Sequence, residues 1–487
     1  MSDSRLKPMA SGDTNGPENT GSAGNNDPRR SDILLTHGYF LEEDPAERKI
    51  MKPYPPLGIL CLSAYLKQQG YCVDVFDSTF SSFEAFQEHV HRTKPPAVGI
   101  YGNLMTRKSV LRMIGFLKQS EITVILGGPE AAYYSGEFIE AGTDYVIRGE
   151  GEQPLADLLA ILNDNDPGKS LCSVKGLVYK NKKGEITETP PSPHWNNLDT
   201  LPFPDREAIH IEAYISTWKK HHGIGAVSLI TARGCPFSCT WCSRAVFGET
   251  YRRRSPGLVA DEVAFLIERY QPEMLWFADD VFTLNHRWLF DLRDEFQNRG
   301  IHIPFECTSR ADRMNEKVIR TLAEMGCIRI WYGSESGSQR ILNAMGREVT
   351  IEKIQKVTSQ IRHFGMESGL FVMFGYEGEE ISDIDATLEH LKQANPDHYL
   401  TTIAYPIKGT PYYHLVKNHI QSDRPWRQRT ERDLKLQNRP SKWFYTCTQS
   451  WFTNEMRLHR HLSASLRQRF PCYLKAKAAR IGMKLIP

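Results

Sequence analysis

Long hydrophobic runs are missing from this chain. No stretch of about 18 consecutive apolar residues occurs, so no membrane-spanning helix is predicted. The N-terminus lacks the apolar core of a secretion signal, which leaves a cytoplasmic setting as the expectation. Charge of one sign is lacking too. A net charge of +2 over 487 residues gives no chain-wide pull toward nucleic acid, and no nucleic-acid partner is expected. Residues from Met1 to about Ser31 are poor in apolar side chains and rich in Ser, Gly, Asn, Asp and Pro. Such a segment cannot offset its chain entropy by burial and is predicted to be disordered.

Paired cysteines are also scarce. Seven of the ten cysteines (Cys61, Cys72, Cys172, Cys307, Cys327, Cys447 and Cys472) are scattered, and in a reducing compartment they are expected to be small buried hydrophobes. The other three stand together in Thr231-Ala232-Arg233-Gly234-Cys235-Pro236-Phe237-Ser238-Cys239-Thr240-Trp241-Cys242, spaced C-x3-C-x2-C. The apolar Ala226–Ile230 run before them reads as a strand, and Gly234-Cys235-Pro236 as the loop leaving it. Three thiolates from one loop suit a soft metal centre, iron–sulfur or zinc. Zinc sites usually add a second C-x2-C pair or matching histidines, and neither stands nearby.

This motif resembles that of the radical S-adenosylmethionine (SAM) superfamily, Trp241 before the last cysteine included. The resemblance implies a [4Fe-4S] cluster on Cys235, Cys239 and Cys242, with one iron open to the amino and carboxylate groups of SAM.

Between residues 32 and 165, five short apolar strands alternate with helical stretches: Ile33–Thr36, Cys72–Asp77, Ala97–Tyr101, Ile122–Leu126 and Asp144–Ile147. That alternation predicts a doubly wound parallel sheet, whose ligands lie beyond the carboxyl ends of the strands. Gly102, Gly127, Gly128, Gly149 and Gly151 cluster at those ends, as tight turns or as backbone left bare for a ligand. The stretches Tyr54-Pro55-Pro56-Leu57-Gly58, Gly127-Gly128-Pro129-Glu130 and Arg148-Gly149-Glu150-Gly151-Glu152 resemble the Rossmann-like cobalamin-binding domain that precedes many radical SAM domains. The resemblance implies cofactor contacts from Tyr54, Pro55, Gly58, Glu130 and these glycines. The D-x-H-x-x-G signature that supplies a cobalt-ligating histidine is missing. Two expectations follow: cobalamin held without a protein histidine, or a domain that has lost the cofactor, with His37 an ordinary loop residue in either case. Residues 166–215 read as a β-hairpin around Asn181-Lys182-Lys183-Gly184 and a Pro- and Asn-rich linker.

Residues 216–420 add five further strand–helix units to the one at the cysteine loop, which predicts a partial (β/α)6 barrel with its chemistry at the carboxyl ends of the strands. The resemblance carries SAM contacts to Trp241, Asp280, Arg310, Glu335 and Gly375 at those ends. Asp279-Asp280 also reads as a pair of acids complementing a helix N-terminus. Residues 421–487 are basic and rich in aromatics, with helical propensity. Three readings stand for them: a cap over the substrate, a peripheral contact with an anionic membrane, or a solvated face.

Taken together, the resemblance implies a cobalamin-dependent radical SAM enzyme. SAM would yield a 5′-deoxyadenosyl radical, the radical would take hydrogen from a small-molecule substrate, and methylcobalamin would methylate the unactivated carbon. A flavodoxin or ferredoxin would supply the electron. Cyclisation or ring rearrangement on the same cofactors is a second reading, and a cobalamin sensor without catalysis a third.

Overall fold

The computed structural model describes residues 31–163, 170–460 and 466–485. The disorder expected for Met1–Ser31 falls, Ser31 apart, outside the described residues. Among the described residues, seven strands form the first sheet: β1 (Ile33–His37), β2 (Val73–Phe76), β3 (Ala97–Tyr101), β4 (Thr123–Gly127), β5 (Tyr145–Ile147), β6 (Leu177–Lys180) and β7 (Ile186–Glu188). Their order is β2-β1-β3-β4-β5-β6-β7. The first five are parallel, in the order of a doubly wound flavodoxin-like sheet. Both faces are packed: Leu34, Val98 and Val124 face one apolar cluster, Ile33, Leu35 and Ile125 the other. The β6–β7 hairpin is part of this sheet. It pairs antiparallel with β5, and Val178 and Leu177 continue the two faces.

The second sheet comprises β8 (Ala226–Leu229), β11 (Met274–Phe277), β12 (Phe305–Ser309), β13 (Cys327–Glu335), β14 (Glu367–Phe374) and β15 (His398–Ile403). Between the first two lies a small antiparallel ribbon of β9 (Ala232–Arg233) and β10 (Arg252–Arg253). The six strands are parallel, in the order β15-β14-β13-β12-β11-β8, so the partial barrel is open between β8 and β15. Alternation along each strand sends Val227, Leu275, Phe305, Ile330 and Leu370 into one core with the outer helices.

The basic C-terminal stretch enters that core. Helix Lys442–Arg460 buries Phe444, Tyr445, Cys447, Trp451, Phe452 and Met456 in it, and Phe452 meets Phe374 edge-on at 4.8 Å. Burial of six such side chains contributes on the order of 10 kcal/mol, so this helix is the outer helix of the sixth unit. Helix Leu466–Leu485 packs on it through Ala476, Ala479 and Met483. Cysteine burial departs from expectation in four places, Cys61 and Cys472 being only partly buried. Cys307, Cys327 and Cys447 are buried, but Cys72 and Cys172 are exposed, because one lies in the turn before β2 and the other in a one-turn helix before β6.

Polar contacts weld the two sheets together. The Tyr214 hydroxyl donates to Asp77 (2.7 Å) and Lys67 pairs with Asp205 (2.6 Å). The Trp218 indole N–H donates to the Pro53 carbonyl (2.8 Å). That last bond holds the 50–56 segment against the barrel, where Tyr54 lies 5.4 Å from Trp218 and 6.3 Å from Trp276 of β11.

Candidate active site

The cysteine loop leaves β8 and is pinned before the first thiol. Asp279, buried just beyond β11, accepts from the Thr231 N–H (2.6 Å) and the Ala232 N–H (3.1 Å), and pairs with Arg253 (2.6 Å). The two acids therefore do not cap a helix. Asp279 anchors the loop, and Asp280 is exposed in the cleft beside Cys235, where burial by the surrounding walls raises its pKa. Gly234 has φ +87°, and a Cβ there would run into the Thr250 carbonyl. Only glycine lets the chain turn from β9 into the cysteines.

Farther on, Thr240 fixes the loop to the opposite wall. Its N–H donates to the Met345 carbonyl (3.1 Å), its hydroxyl bonds that of Tyr376 (2.8 Å), and its carbonyl accepts from the Tyr412 N–H (2.9 Å). Trp241 packs partly buried against the Ile341–Met345–Tyr376 cluster.

Cys239 is the buried member of the triad, and two guanidinium groups donate to its sulfur: Arg310 at 3.3 Å and Arg347 at 3.7 Å. Arg310 also lies 3.6 Å over the Phe237 ring and bonds Asp312 (2.9 Å). Cys242 is reachable from solvent, yet burial in its cleft, with Cys239, Glu335 and Cys235 adding to it, pushes its thiol up to about 12. Burial raises Cys235 as well. Such thiols ionise only against strong positive charge, which iron and two arginines together provide. Among the described residues no three His, Cys, Asp or Glu side chains are gathered as for a single metal ion. A cluster spreads its thiolates over separate irons, so it does not need that convergence. The donor set fits a three-cysteine iron–sulfur cluster.

Glu335 ends β13 beside this centre. A shift in register after Gly333 turns the chain, and Glu335 sits at φ +58°, a conformation that costs a non-glycine residue about 1–3 kcal/mol. Its carboxylate is buried, which raises its pKa, with Arg347 (3.9 Å away) and Arg310 opposing. A strained, buried acid beside three thiols is suited to receive a cationic amine. Gly375, at the end of β14, has φ +72°, and its N–H donates to Glu379 (2.6 Å). The structure thus brings Cys235, Cys239, Cys242, Asp280, Arg310, Glu335 and Gly375 to one end of the barrel. Arg347 was not foreseen: it stands alone past a short helix, and only the fold carries it to Cys239.

The barrel lumen below is aromatic. Trp331 stacks on Phe371 at 5.5 Å, with its indole N–H held by the buried Glu306 (2.8 Å), which also pairs with Arg329 (2.6 Å). Trp276 and the half-exposed Tyr54 stand on the same sheet face.

At the carboxyl ends of the first sheet, Gly102 and Gly127 are bare for no internal reason. A Cβ on Gly127 would meet nothing nearer than 4.0 Å, and one on Gly102 nothing nearer than 3.6 Å. The Gly127 backbone is partly exposed and open to a flat ligand, which fits a corrinoid, whereas Gly102 is buried and donates its N–H to the Gly127 carbonyl (2.9 Å). Gly128 (φ +99°) and Gly149 (φ +85°) serve left-handed turns, and Gly151 makes room for Leu62. Gly58 opens the helix Leu57–Gln68, after Pro55 has carried the chain past Tyr54. Glu130 is committed elsewhere: it is buried and paired with Arg107, and burial with the nearby Glu431 raises it to about 7. His37 is buried and fully engaged. Its Nδ1 accepts from the Tyr39 N–H (3.2 Å), so Nε2 carries the proton toward Asp77 (3.0 Å) and has no lone pair for cobalt.

Between the two ends lie Glu150 and Glu152, both buried. Arg233 of β9 reaches Glu152 (2.5 Å) and Glu150 (3.2 Å), and Arg252 of β10 pairs with Glu150. In Arg148–Glu152 the carboxylates, more than the glycines, tie the first sheet to the cysteine loop.

Residues 229–391 match the family model of the radical SAM superfamily, and residues 48–159 that of the B12-binding domain. The chain is 28% identical over 407 residues to an uncharacterized methyltransferase of Pyrococcus horikoshii, covering 81% of this chain and 86% of that protein. It is 26% identical to the anaerobic magnesium-protoporphyrin IX monomethyl ester cyclase of Rubrivivax gelatinosus, over 71% of this chain and 63% of the relative. The fold is that of the radical SAM methyltransferase TsrM of Kitasatospora setae, solved with cobalamin and a [4Fe-4S] cluster: TM-score 0.67, 17% identity, 81% of both chains.

Proposed function

We propose that this chain, which belongs to the cobalamin-binding-domain-containing radical SAM proteins, is an enzyme that methylates an unactivated carbon of a small molecule. The observation that carries the reading is the juxtaposition just described: a three-thiol centre with two arginines on Cys239, tied through Arg233 to Glu150 and Glu152 beyond the carboxyl end of a strand in a B12-binding sheet. When bound, the cluster, SAM and cobalamin supply a 5′-deoxyadenosyl radical and a transferable methyl group.

The protein's own part is placement. Cys235, Cys239 and Cys242 hold the cluster. Arg310 and Arg347, both donating to Cys239, would balance its negative charge, and Arg310 would also pair with the SAM carboxylate. Glu335, beside Arg347, would hold the SAM ammonium, and the turn at Gly375, set by Glu379, would border the adenosyl group. Asp280, open in the cleft beside Cys235, takes a polar group of SAM or substrate. Gly127 would support the corrinoid, held by the buried Gly102, with Gly128 and Gly149 shaping the turns. Trp276, Trp331 and Phe371 exclude water around the substrate carbon. An electron donor of the flavodoxin or ferredoxin type and a lipid surface under the basic C-terminal helices complete the set of partners.

Anaerobic reconstitution with iron, sulfide and cobalamin tests the assignment. Bound corrinoid and a cluster that cleaves SAM reductively are the expected result. Cys239→Ala should lose both the cluster absorption and the cleavage, and a variant that keeps either sinks the cluster assignment. Cyclisation on the same cofactors is the second reading, favoured by the similarity to the cyclase. It shares every step up to the fate of the methyl group.

A further inference from the structure

Helix Leu466–Leu485 has two apolar faces, and the fold uses one. Ala476, Ala479 and Met483 pack on the preceding helix. On the far side Phe470 (60% exposed), Leu474 (50%), Ile481 (56%) and Leu485 (74%) stand in water. Their spacing of four, seven and four residues keeps them on one line of a 3.6-residue helix, opposite the packed face. Tyr473, half exposed, widens the line, with Lys477 over its ring at 5.5 Å.

The charges on this helix are of one sign. It carries Arg467, Arg469, Lys475, Lys477, Arg480 and Lys484, and no Asp or Glu. Arg480 is spent on Asp385 (2.7 Å) within the fold, whereas Lys475, Lys477 and Lys484 are exposed.

We propose that this stripe is a membrane-docking surface that lays the C-terminal helix in the headgroup region of an anionic bilayer. Large exposed apolar side chains in a row mark a contact surface. Cations flanking them fit anionic headgroups, and their long stems can reach up from a shallow apolar insertion. A second copy of the chain would set two helices rich in Lys and Arg, with no acid between them, face to face. A nucleic acid would leave the apolar row unused. The helix is amphipathic and too charged to cross a membrane, and among the described residues no helix is long and apolar enough to do so. The docking surface names the lipid partner of the reading above and holds whatever carbon is methylated.

The test uses the full reconstituted chain with vesicles of phosphatidylcholine alone or with phosphatidylglycerol, read by co-sedimentation. Binding is expected only to the phosphatidylglycerol vesicles, and it should weaken as salt rises. Leu474→Asp with Ile481→Asp should lower the bound fraction at least about tenfold, while the melting temperature and cluster absorption stay as in the wild type. Ile481→Trp supplies a readout that needs no loss of binding: brominated acyl chains should quench it beyond the wild-type level. Three results would overturn the assignment: no binding at low salt, undiminished binding by the double aspartate variant, or no added quenching. A dimer dispersed by the aspartates without lipid would assign the stripe to a second copy instead. None of these readouts depends on turnover, so docking and methyl transfer fail separately.

Discussion

Arg233, two residues before the first cluster cysteine, is held by Glu152 of the first sheet at 2.5 Å, with Glu150 at 3.2 Å. Arg233 and both acids are largely removed from water. The cysteine loop and the loop after β5 are therefore one polar unit, and the spacing between the two cofactor sites is fixed through it.

Breaking that unit from one side is costly. Arg233→Ala leaves the buried Glu152 without its cation while Glu150 keeps Arg252, and an unpaired buried carboxylate costs about 3–5 kcal/mol. The expected outcome is a variant with a lowered unfolding midpoint and poor cluster retention. Glu152→Gln, which keeps a hydrogen-bond acceptor, should lose much less. Chemical denaturation of the two variants checks the order.

Glu335 is expected to act on SAM and not on the cluster. Glu335→Gln should leave the iron–sulfur absorption intact and raise KM for SAM in reductive cleavage by about 10- to 100-fold, the size of a lost charge-assisted hydrogen bond. Its pKa is raised by burial, so the anion that binds the ammonium is lost earlier on acidification than for an ordinary glutamate. SAM affinity should fall as pH drops in the wild type and be flat over that range in Glu335→Gln. Titrating SAM binding against pH checks this.

Glu379 carries a different pH signature. Burial raises it from 4.5 to about 7, against the hydrogen bond from the Gly375 N–H. Its folded-state pKa lies above the unfolded one, so the protonated form is favoured by folding. Its contribution is fully present below about 4.5, declines as pH rises toward 7, and stays lost above. Glu379→Gln should therefore be more stable than the wild type at pH 8, by about 1–3 kcal/mol, and nearly equal at pH 4.5. Equal curves at both pH values would contradict the burial of a proton there.

Arg107 anchors the far side of the molecule. It is fully buried, pairs with Glu130 of the first sheet, and takes Glu431 (2.6 Å) and the Arg429 carbonyl (2.7 Å) from the segment after the barrel. Arg107→Met should cost about 3–5 kcal/mol because two acids lose their shared cation. Limited proteolysis should then cut near Trp426, which now lies 5.2 Å from that guanidinium. An unchanged digestion pattern would show that the segment is held by other contacts.

Much of this was legible before the structure. The C-x3-C-x2-C spacing marks the thiol centre, and the alternation of short apolar runs with amphipathic stretches marks both sheets, because those signals are local. Glu335 was reachable from its place after the fourth barrel strand, although its left-handed backbone was not. Arg347 and Arg233 were not legible as site residues. A lone arginine has no periodicity, and its role arises only when distant segments meet. The aromatic tail misled for the same reason. Trp451 and Phe452 look like surface or cap residues beside so many lysines and arginines, yet helix Lys442–Arg460 presents them to the barrel core while its charges face out.

The fate of the SAM methyl group tests the central claim most directly. The reconstituted protein, loaded with reduced corrinoid, is incubated with SAM carrying a labelled methyl, and the bound corrinoid is then released and counted. Label on the corrinoid, retained in Glu335→Gln at lower SAM affinity, is the expected result. A corrinoid that stays unlabelled while SAM is cleaved to labelled methionine would contradict methyl transfer.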